Sequence, residues 1–293
     1  MEMITPMAPR KIALLTDSTA DLTTQVAEEN HIHVVPLRIR CTDGEYSDGV
    51  DIHAADIYAR LRAGELPKTS LPAGEDITAA FDRIRDEGYD GVIAVMLSGG
   101  LSGTYNLTRL LAEERRDLEI KVYDSVSGSL GIGVTMLQLA EDLRAGASWR
   151  ELTHKRVPQL IKNTFPFFSV DTLEYLQRGG RIGKVTAMAG TMLQIKPLIT
   201  FAADGQLQSI AKVRGRKQVM DKLIDLVVKA CGNHKKYNLA VANGGAPEEM
   251  AVLKEKLKAA LPYYDHIWDG ELDGTLSVYI GDGVLGTCVQ VLD

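Results

Sequence analysis

Apolar residues in the first half of the chain gather into short runs. Each run is followed by hydroxyl-bearing and glycine residues, and then by a stretch with helical spacing. Ile12–Thr16, Val92–Leu97 and Ile120–Tyr123, the last interrupted by Lys121, are too short for surface helices, and they read as buried strands. The first leads into Asp17-Ser18-Thr19-Ala20-Asp21 and a helix to about Glu29. The second leads into Ser98-Gly99-Gly100-Leu101-Ser102-Gly103-Thr104 and a helix carrying Leu107, Leu110 and Leu111. The third is followed by Asp124-Ser125-Val126-Ser127-Gly128-Ser129 and a helix from about Gly133 to Leu143. Strands alternating with helices in this way predict a parallel sheet with helices on both faces.

The pattern changes in the second half. Phe165–Val170 reads as a strand leading into a helix at Thr172–Gln177, with Gly179-Gly180 as its stop. A helix is expected over Lys184–Gln194, with Met188 and Met192 on one face as core or as a pliable apolar wall. A strand follows at Lys196–Ala202, and Asp204-Gly205 signals a hairpin into Gln208–Val213. A helix, a strand at Tyr237–Val241 and a further helix lead to apolar stretches near Ile267 and at Leu276–Ile280. A hairpin combined with crossover helices predicts a mixed sheet. The expected organisation is an α/β chain with an N-terminal parallel-sheet domain over 10–160 and a C-terminal mixed-sheet domain over 161–293.

Composition narrows what such a frame can do. The 293 residues are 45% hydrophobic and 25% charged, an ordinary globular balance large enough for two cores. A formal net charge of −6 gives no bulk attraction to nucleic acid or to an anionic bilayer, so neither is expected as a partner. No run approaches the roughly 18 apolar residues of a membrane span, and Met1–Arg10 lacks the apolar core of a signal peptide. Cys41, Cys231 and Cys288 are far apart and form no CxxC pair, which suits a reducing cytoplasm better than a disulfide or zinc framework.

Candidate chemistry sits in the loops that follow the parallel strands, where ligands of such sheets bind. These loops carry hydroxyls and glycines and few cations. Hydroxyls with free N–H groups at a helix start suit an anionic oxygen group. Ser98–Thr104 is the best case, with glycines for close approach and three hydroxyl side chains, although capping accounts for part of it. Thr69-Ser70 adds hydroxyls on a segment that reads as a loop. No GxxxxGK[ST] pattern is present, His31 and His33 have no third metal ligand in reach, and no Ser/His/Asp order is legible. Arg178, Arg181, Lys184, Lys196, Lys212, Arg214, Arg216 and Lys217 concentrate within a short stretch. They read either as a solvated face or, for arginines on turns, as oxyanion recognition or docking to an acidic partner.

Taken in order, several segments resemble the DegV family. They are Asp17-Ser18-Thr19-Ala20-Asp21-Leu22, Thr69-Ser70-Leu71-Pro72, Leu101-Ser102-Gly103-Thr104-Tyr105-Asn106 and Asp124-Ser125, then Leu173 to Ile182, Ile195-Lys196-Pro197 and Lys212 to Lys217. The likeness spans nearly the whole chain from Lys11. It implies a long-chain fatty acid held in a tunnel between two α/β domains, with no cofactor and no catalysis by the chain itself. It also implies a separate fatty acid kinase that phosphorylates the presented carboxylate. Carried over residue by residue, the carboxylate-binding threonine falls on Thr69, with Ser70 beside it. The carboxylate-binding serine falls on Ser102, with Ser98 as second candidate. Arginines linked to phosphoryl transfer or kinase contact fall on Arg181 and Arg214.

One stretch departs from the family pattern. Where the family reads His-Thr-Gly-Pro-Gly, this chain has Tyr279-Ile280-Gly281-Asp282-Gly283. A tyrosine hydroxyl can donate to a carboxylate, but it does not become cationic near neutral pH as histidine does. Two alternatives therefore stay open beside the carrier: a member that binds lipid without the kinase hand-off, and a phosphotransferase-like enzyme acting on a small hydroxylated substrate.

Overall fold

A computed structural model describes residues 10–188 and 195–293. Its N-terminal sheet has the order β2-β1-β6-β7 and is parallel throughout. The strands are β1 (Ile12–Asp17), β2 (Ile32–Val35), β6 (Gly91–Met96) and β7 (Glu119–Asp124). All of β6 is buried, as expected for a central parallel strand whose two faces are both covered. α3 (Gly74–Asp86) and α4 (Thr104–Glu114) cover one face through Ile77, Phe81, Ile84 and Ala112. α1 (Thr24–Glu29), α5 (Leu130–Arg144) and α7 (Val157–Lys162) cover the other. α7 continues α6 (Trp149–Glu151) through a π-helical turn at Leu152–Arg156.

Between β2 and β6 the chain forms a small antiparallel sheet of order β4-β3-β5, made by β3 (Arg38–Cys41), β4 (Gly44–Ser47) and β5 (Lys68–Ser70), with α2 (Ala54–Arg62) between β4 and β5. Thr69 and Ser70 therefore lie on an edge strand and not in a loop. Three residues are too few to show a period-two pattern, and the partner strand lies about 30 positions away along the chain.

The second half forms a six-stranded mixed sheet of order β10-β9-β8-β13-β11-β12. Its strands are β8 (Thr164–Ser169), β9 (Ile195–Phe201), β10 (Leu207–Arg214), β11 (Tyr237–Gly244), β12 (Ile267–Glu271) and β13 (Val284–Val291). β9 and β10 are the expected hairpin, with Gly205 at φ +76° in its turn. α9 (Lys217–Cys231) and α10 (Pro247–Ala260) cover the outer face of this sheet. α8 (Glu174–Arg178) takes the place expected for the Thr172–Gln177 helix. Of the helix expected over Lys184–Gln194, Gly183–Met188 is a 3-10 helix; residues 189–194 lie outside the described residues, and so does the expected Met188/Met192 face. The apolar stretch at Leu276–Ile280 belongs to a helix, α11 (Gly274–Ile280).

The two sheets meet across α5. Its residues Leu130 to Ala140 are all buried, so it is apolar on every side, the signature of a helix enclosed by packing. It starts lower in the chain than Gly133, because Ser129 adopts a left-handed conformation (φ +57°) that launches it. A buried polar set fixes it against the second sheet. Asn238 donates to Gln138 (2.8 Å) and to Gln290 (3.2 Å), and Gln290 donates to Thr135 (3.1 Å).

Candidate functional site

A cavity of about 330 Å3 lies between the ends of the parallel strands and the inner face of the mixed sheet. Its walls come from the segments after β6 and β7, from β5, from α11 and from β8, β11 and β13. That position follows from strand order: β2 and β6 flank β1 on opposite sides, so the loops after β1 and β6 diverge and leave a crevice. Asp17, at the end of β1, ties those loops together by accepting from the backbone N–H of Leu97 (2.7 Å) and Thr19 (3.1 Å). Burial pushes its carboxyl above the usual range.

The deep part of the cavity is mostly apolar, with the buried Thr287 among its lining residues. Small residues on the mixed sheet, Ala240, Ala242 and Gly286, leave the room that larger side chains would fill. Cys288 lies beside them as a free thiol, pushed up to about 12 by burial and therefore neutral. The opposite end is polar and partly exposed, and there the structure brings together Thr69, Ser70, Ser102, Arg181 and Tyr279. The Thr69 and Tyr279 hydroxyls hydrogen-bond to each other at 2.6 Å. The Arg181 guanidinium lies over the Tyr279 ring, 5.1 Å from its centre, and donates to the Gly179 carbonyl (2.8 Å). Ser102 shares a hydrogen bond with Thr104 (2.9 Å) at the N-terminal end of α4.

Sequence-level reading gave Gly179-Gly180 one task, and the structure shows two. Gly180 takes the left-handed turn (φ +71°), while a Cβ on Gly179 would fall 2.3 Å from the Tyr279 ring. Gly179 is thus the seat of that ring. Asp282, where the family pattern has proline, pairs with Arg62 at 2.8 Å.

Ser98 and Arg214 do not join this group. Ser98 is fully buried and does not line the cavity. Its hydroxyl donates to the Gly205 carbonyl (2.8 Å) and accepts from the Gly100 N–H (3.2 Å), which latches the loop to the β9–β10 turn. Arg214 is exposed at the end of β10, paired in register with Ile195, and lines no part of the cavity. Four members of the basic cluster are ion-paired: Arg178 with Glu174, Lys184 with Asp204, Lys196 with Asp171 and Arg216 with Glu249. Among the described residues no group of His, Cys, Asp and Glu has the arrangement of a metal site. No described helix is long and apolar enough to cross a membrane.

Ser129, Leu276 and Ile280 also line the cavity, and no motif marks them as ligand contacts. Ser129 is a non-glycine residue with a positive φ (+57°) at the N-cap of α5.

With this geometry in hand, comparison with known proteins is informative. Residues 11–291 match the model of the DegV family, described as "Uncharacterised protein, DegV family". A DegV domain-containing protein of Clostridium acetobutylicum is 36% identical over 279 residues, covering 95% of this chain and 98% of its own. Among solved structures, a DegV family protein from Thermus thermophilus, described by its fatty acid binding, has a TM-score of 0.90 at 30% identity, over 96% of this chain and 100% of that one. A stearic acid-binding protein from Eubacterium ventriosum has a TM-score of 0.86 at 27% identity, over 96% and 98% of the two chains.

Proposed function

The chain belongs to the DegV family, and from that premise we propose that it carries a long-chain fatty acid. The tail lies in the apolar cavity and the carboxylate at the end formed by Thr69, Ser70, Ser102, Arg181 and Tyr279. The observation that carries this reading is the lining of the site: a largely apolar cavity in which the Thr69 and Tyr279 hydroxyls meet, with Ser70, Ser102 and Arg181 among the residues that line it. Burying about fourteen methylenes at roughly 0.8 kcal/mol each is worth on the order of 10 kcal/mol gross, so affinity comes from the tail. The head needs hydrogen bonds chiefly because an unpaired buried carboxylate is costly. Thr69 and Tyr279 turn their hydroxyl protons from each other to the ligand, and Arg181 supplies a nearby positive charge without a full ion pair.

The same end of the cavity is where a separate kinase, in the cytoplasm, would phosphorylate the presented carboxylate, with Arg181 and the more distant Arg214 as its contacts. One observation favours a second reading, a lipid binder without hand-off. The position of the family histidine holds Tyr279, whose hydroxyl is engaged by Thr69 and which brings no cationic imidazole to the reacting oxygen. Mass spectrometry of the purified protein, native and after solvent extraction, tests the carrier. A co-purifying long-chain fatty acid is expected, and a protein that is empty and also refuses added fatty acid overturns the reading. Acyl-phosphate formation with a fatty acid kinase separates the two versions of it.

A further inference from the structure

Three aspartates converge where α11 begins. Asp273 is its N-cap, and its Oδ1 accepts from the N–H of Leu276 (2.9 Å). Asp48, from the turn after β4, accepts from the N–H groups of Gly274 (2.9 Å) and Thr275 (3.3 Å) and from the Ser18 hydroxyl (2.8 Å). Asp21, from the loop after β1, accepts from the Asp273 N–H (2.8 Å) and from the Ser129 hydroxyl. The first turn of α11 is therefore held by three carboxyls, two of them from the N-terminal half of the chain.

The second oxygen of Asp273, Oδ2, is buried and has no N–H or O–H group to accept from. The groups beside it are the carboxyls of Asp21 and Asp48. Two carboxylates repel, but a carboxylic acid and a carboxylate share a hydrogen bond. A proton between Asp21 and Asp273 satisfies the orphaned oxygen.

The remaining charges around α11 do not neutralise the cluster. Asp17 and Glu271 add negative charge nearby, and the Tyr58 hydroxyl of α2 accepts from Ser277 (2.9 Å). Arg38 of β3 pairs with Asp76 and Arg40 with Glu45. On α2, Arg60 pairs with Asp43 and Glu65, and Arg62 with Asp282. On α8, Arg178 pairs with Glu174; Arg181 lies over Tyr279 at the far end of α11 and donates to the Gly179 carbonyl; and Lys68 on β5 is exposed.

α11 also builds the cavity, because Leu276, Tyr279 and Ile280 line it, as does Ser129. We propose that the Asp21–Asp48–Asp273 cluster is a proton-loaded clasp, which holds α11 against the N-terminal half while protonated and loosens the cavity wall when the proton leaves. The shifts agree. Asp21 is pushed up to about 7, chiefly by burial, and Asp273 well above the carboxylate range by burial and by the fields of Asp48 and Asp21. The inference rests on the fatty-acid reading for its consequence, faster ligand release above neutral pH.

The test uses the full chain, a naturally fluorescent polyene fatty acid, and two variants. Asp273→Asn keeps the helix cap and offers a permanent N–H to Asp21, and Asp21→Asn offers one to Asp273. In the parent protein the ligand off-rate is expected to rise about tenfold between about pH 6 and pH 8, and in either variant by less than about twofold. Ionisation of the ligand itself is common to all three proteins and drops out of the comparison. Equal pH dependence in parent and variants overturns the clasp. Hydrogen exchange at residues 274–280 without ligand, corrected for intrinsic rates, reads the clasp independently of lipid. Protection that is lost at high pH in the parent and kept in the variants supports it, and pH-independent protection in the parent overturns it. If no fatty acid binds at any pH, the carrier reading fails while the exchange arm still decides the clasp.

Discussion

Tyr279 is the residue at which this chain chooses its chemistry. Its ring is seated on Gly179 and under Arg181, and its hydroxyl meets Thr69 at 2.6 Å. Tyr279→Phe keeps the ring and removes one donor, so fatty-acid affinity should fall by about 1–2 kcal/mol with no comparable loss of stability, read by titration and melting temperature. Tyr279→His restores the family residue. It should make carboxylate binding pH-dependent, tightest when the imidazole is charged and weakening as pH rises through about 6.5. It should also raise acyl-phosphate yield with a kinase if hand-off is the function. Two serines separate ligand from scaffold in the same way. Ser102→Ala should weaken binding by about 1–3 kcal/mol if it leaves the carboxylate one donor short. Ser98→Ala should leave head-group contacts intact and lower stability instead, because its hydroxyl is spent on Gly205. A titration in which the two variants trade these effects would reverse the assignment.

At the scale of elements, the sequence was most legible where one element repeats one period. Runs such as Val92–Leu97 gave β1 and β6 to within a residue or two, because a strand covered on both faces must be continuously apolar, whereas β7, at the sheet edge, shows the alternation of a half-exposed strand. Asp204-Gly205 gave the β9–β10 hairpin for the same local reason. β5 was not legible, since its strand character comes from pairing with β3 and not from its three residues. α11 was readable only as an apolar stretch, because its first turn is held by Asp21 and Asp48, more than two hundred positions away along the chain. Of the candidate site, only the shared motifs were legible in sequence, and Thr69, Ser70, Ser102, Arg181 and Tyr279 line one cavity. The burial of Ser98 was not, since a hydroxyl bound to a ligand and one bound to a carbonyl across a domain contact look alike in one dimension. That contact carries its own prediction. A Cβ on Gly100 would lie 2.2 Å from the Gly205 backbone. Gly100→Ala should therefore push the β9–β10 turn off the loop and cost about 1–3 kcal/mol, seen as a lowered denaturation midpoint and faster ligand release.

For the whole molecule, the pH dependence of stability follows from two populations of carboxyls with opposite signs. Glu119 is held below its ordinary value by Arg10, Asp117 by Arg115, and Glu65 by the Thr42 N–H, with Arg60 adding to it. Such groups contribute stability above their unfolded values, and it is lost as pH falls through the folded ones. Asp17, Asp21 and Asp273 are displaced the other way, by burial first in each case. Their contribution is complete below the ordinary aspartate value of 3.8 and drains away as pH rises towards about 7, where Asp21 titrates. The two windows barely overlap, so stability should peak in mildly acidic solution and decline towards neutrality. Denaturant midpoints of the ligand-free protein at a series of pH values between about 4 and 8 check this, since the slope reports the difference in bound protons directly. Asp273→Asn should flatten the neutral limb and leave the acidic limb unchanged, because the two limbs belong to different parts of the molecule. Added fatty acid should raise the unfolding free energy throughout, by about 2.7 kcal/mol at a hundredfold excess over Kd. If the clasp and the cavity are one device, that gain should shrink as pH passes neutrality, because the state the ligand selects is the one with α11 held in place.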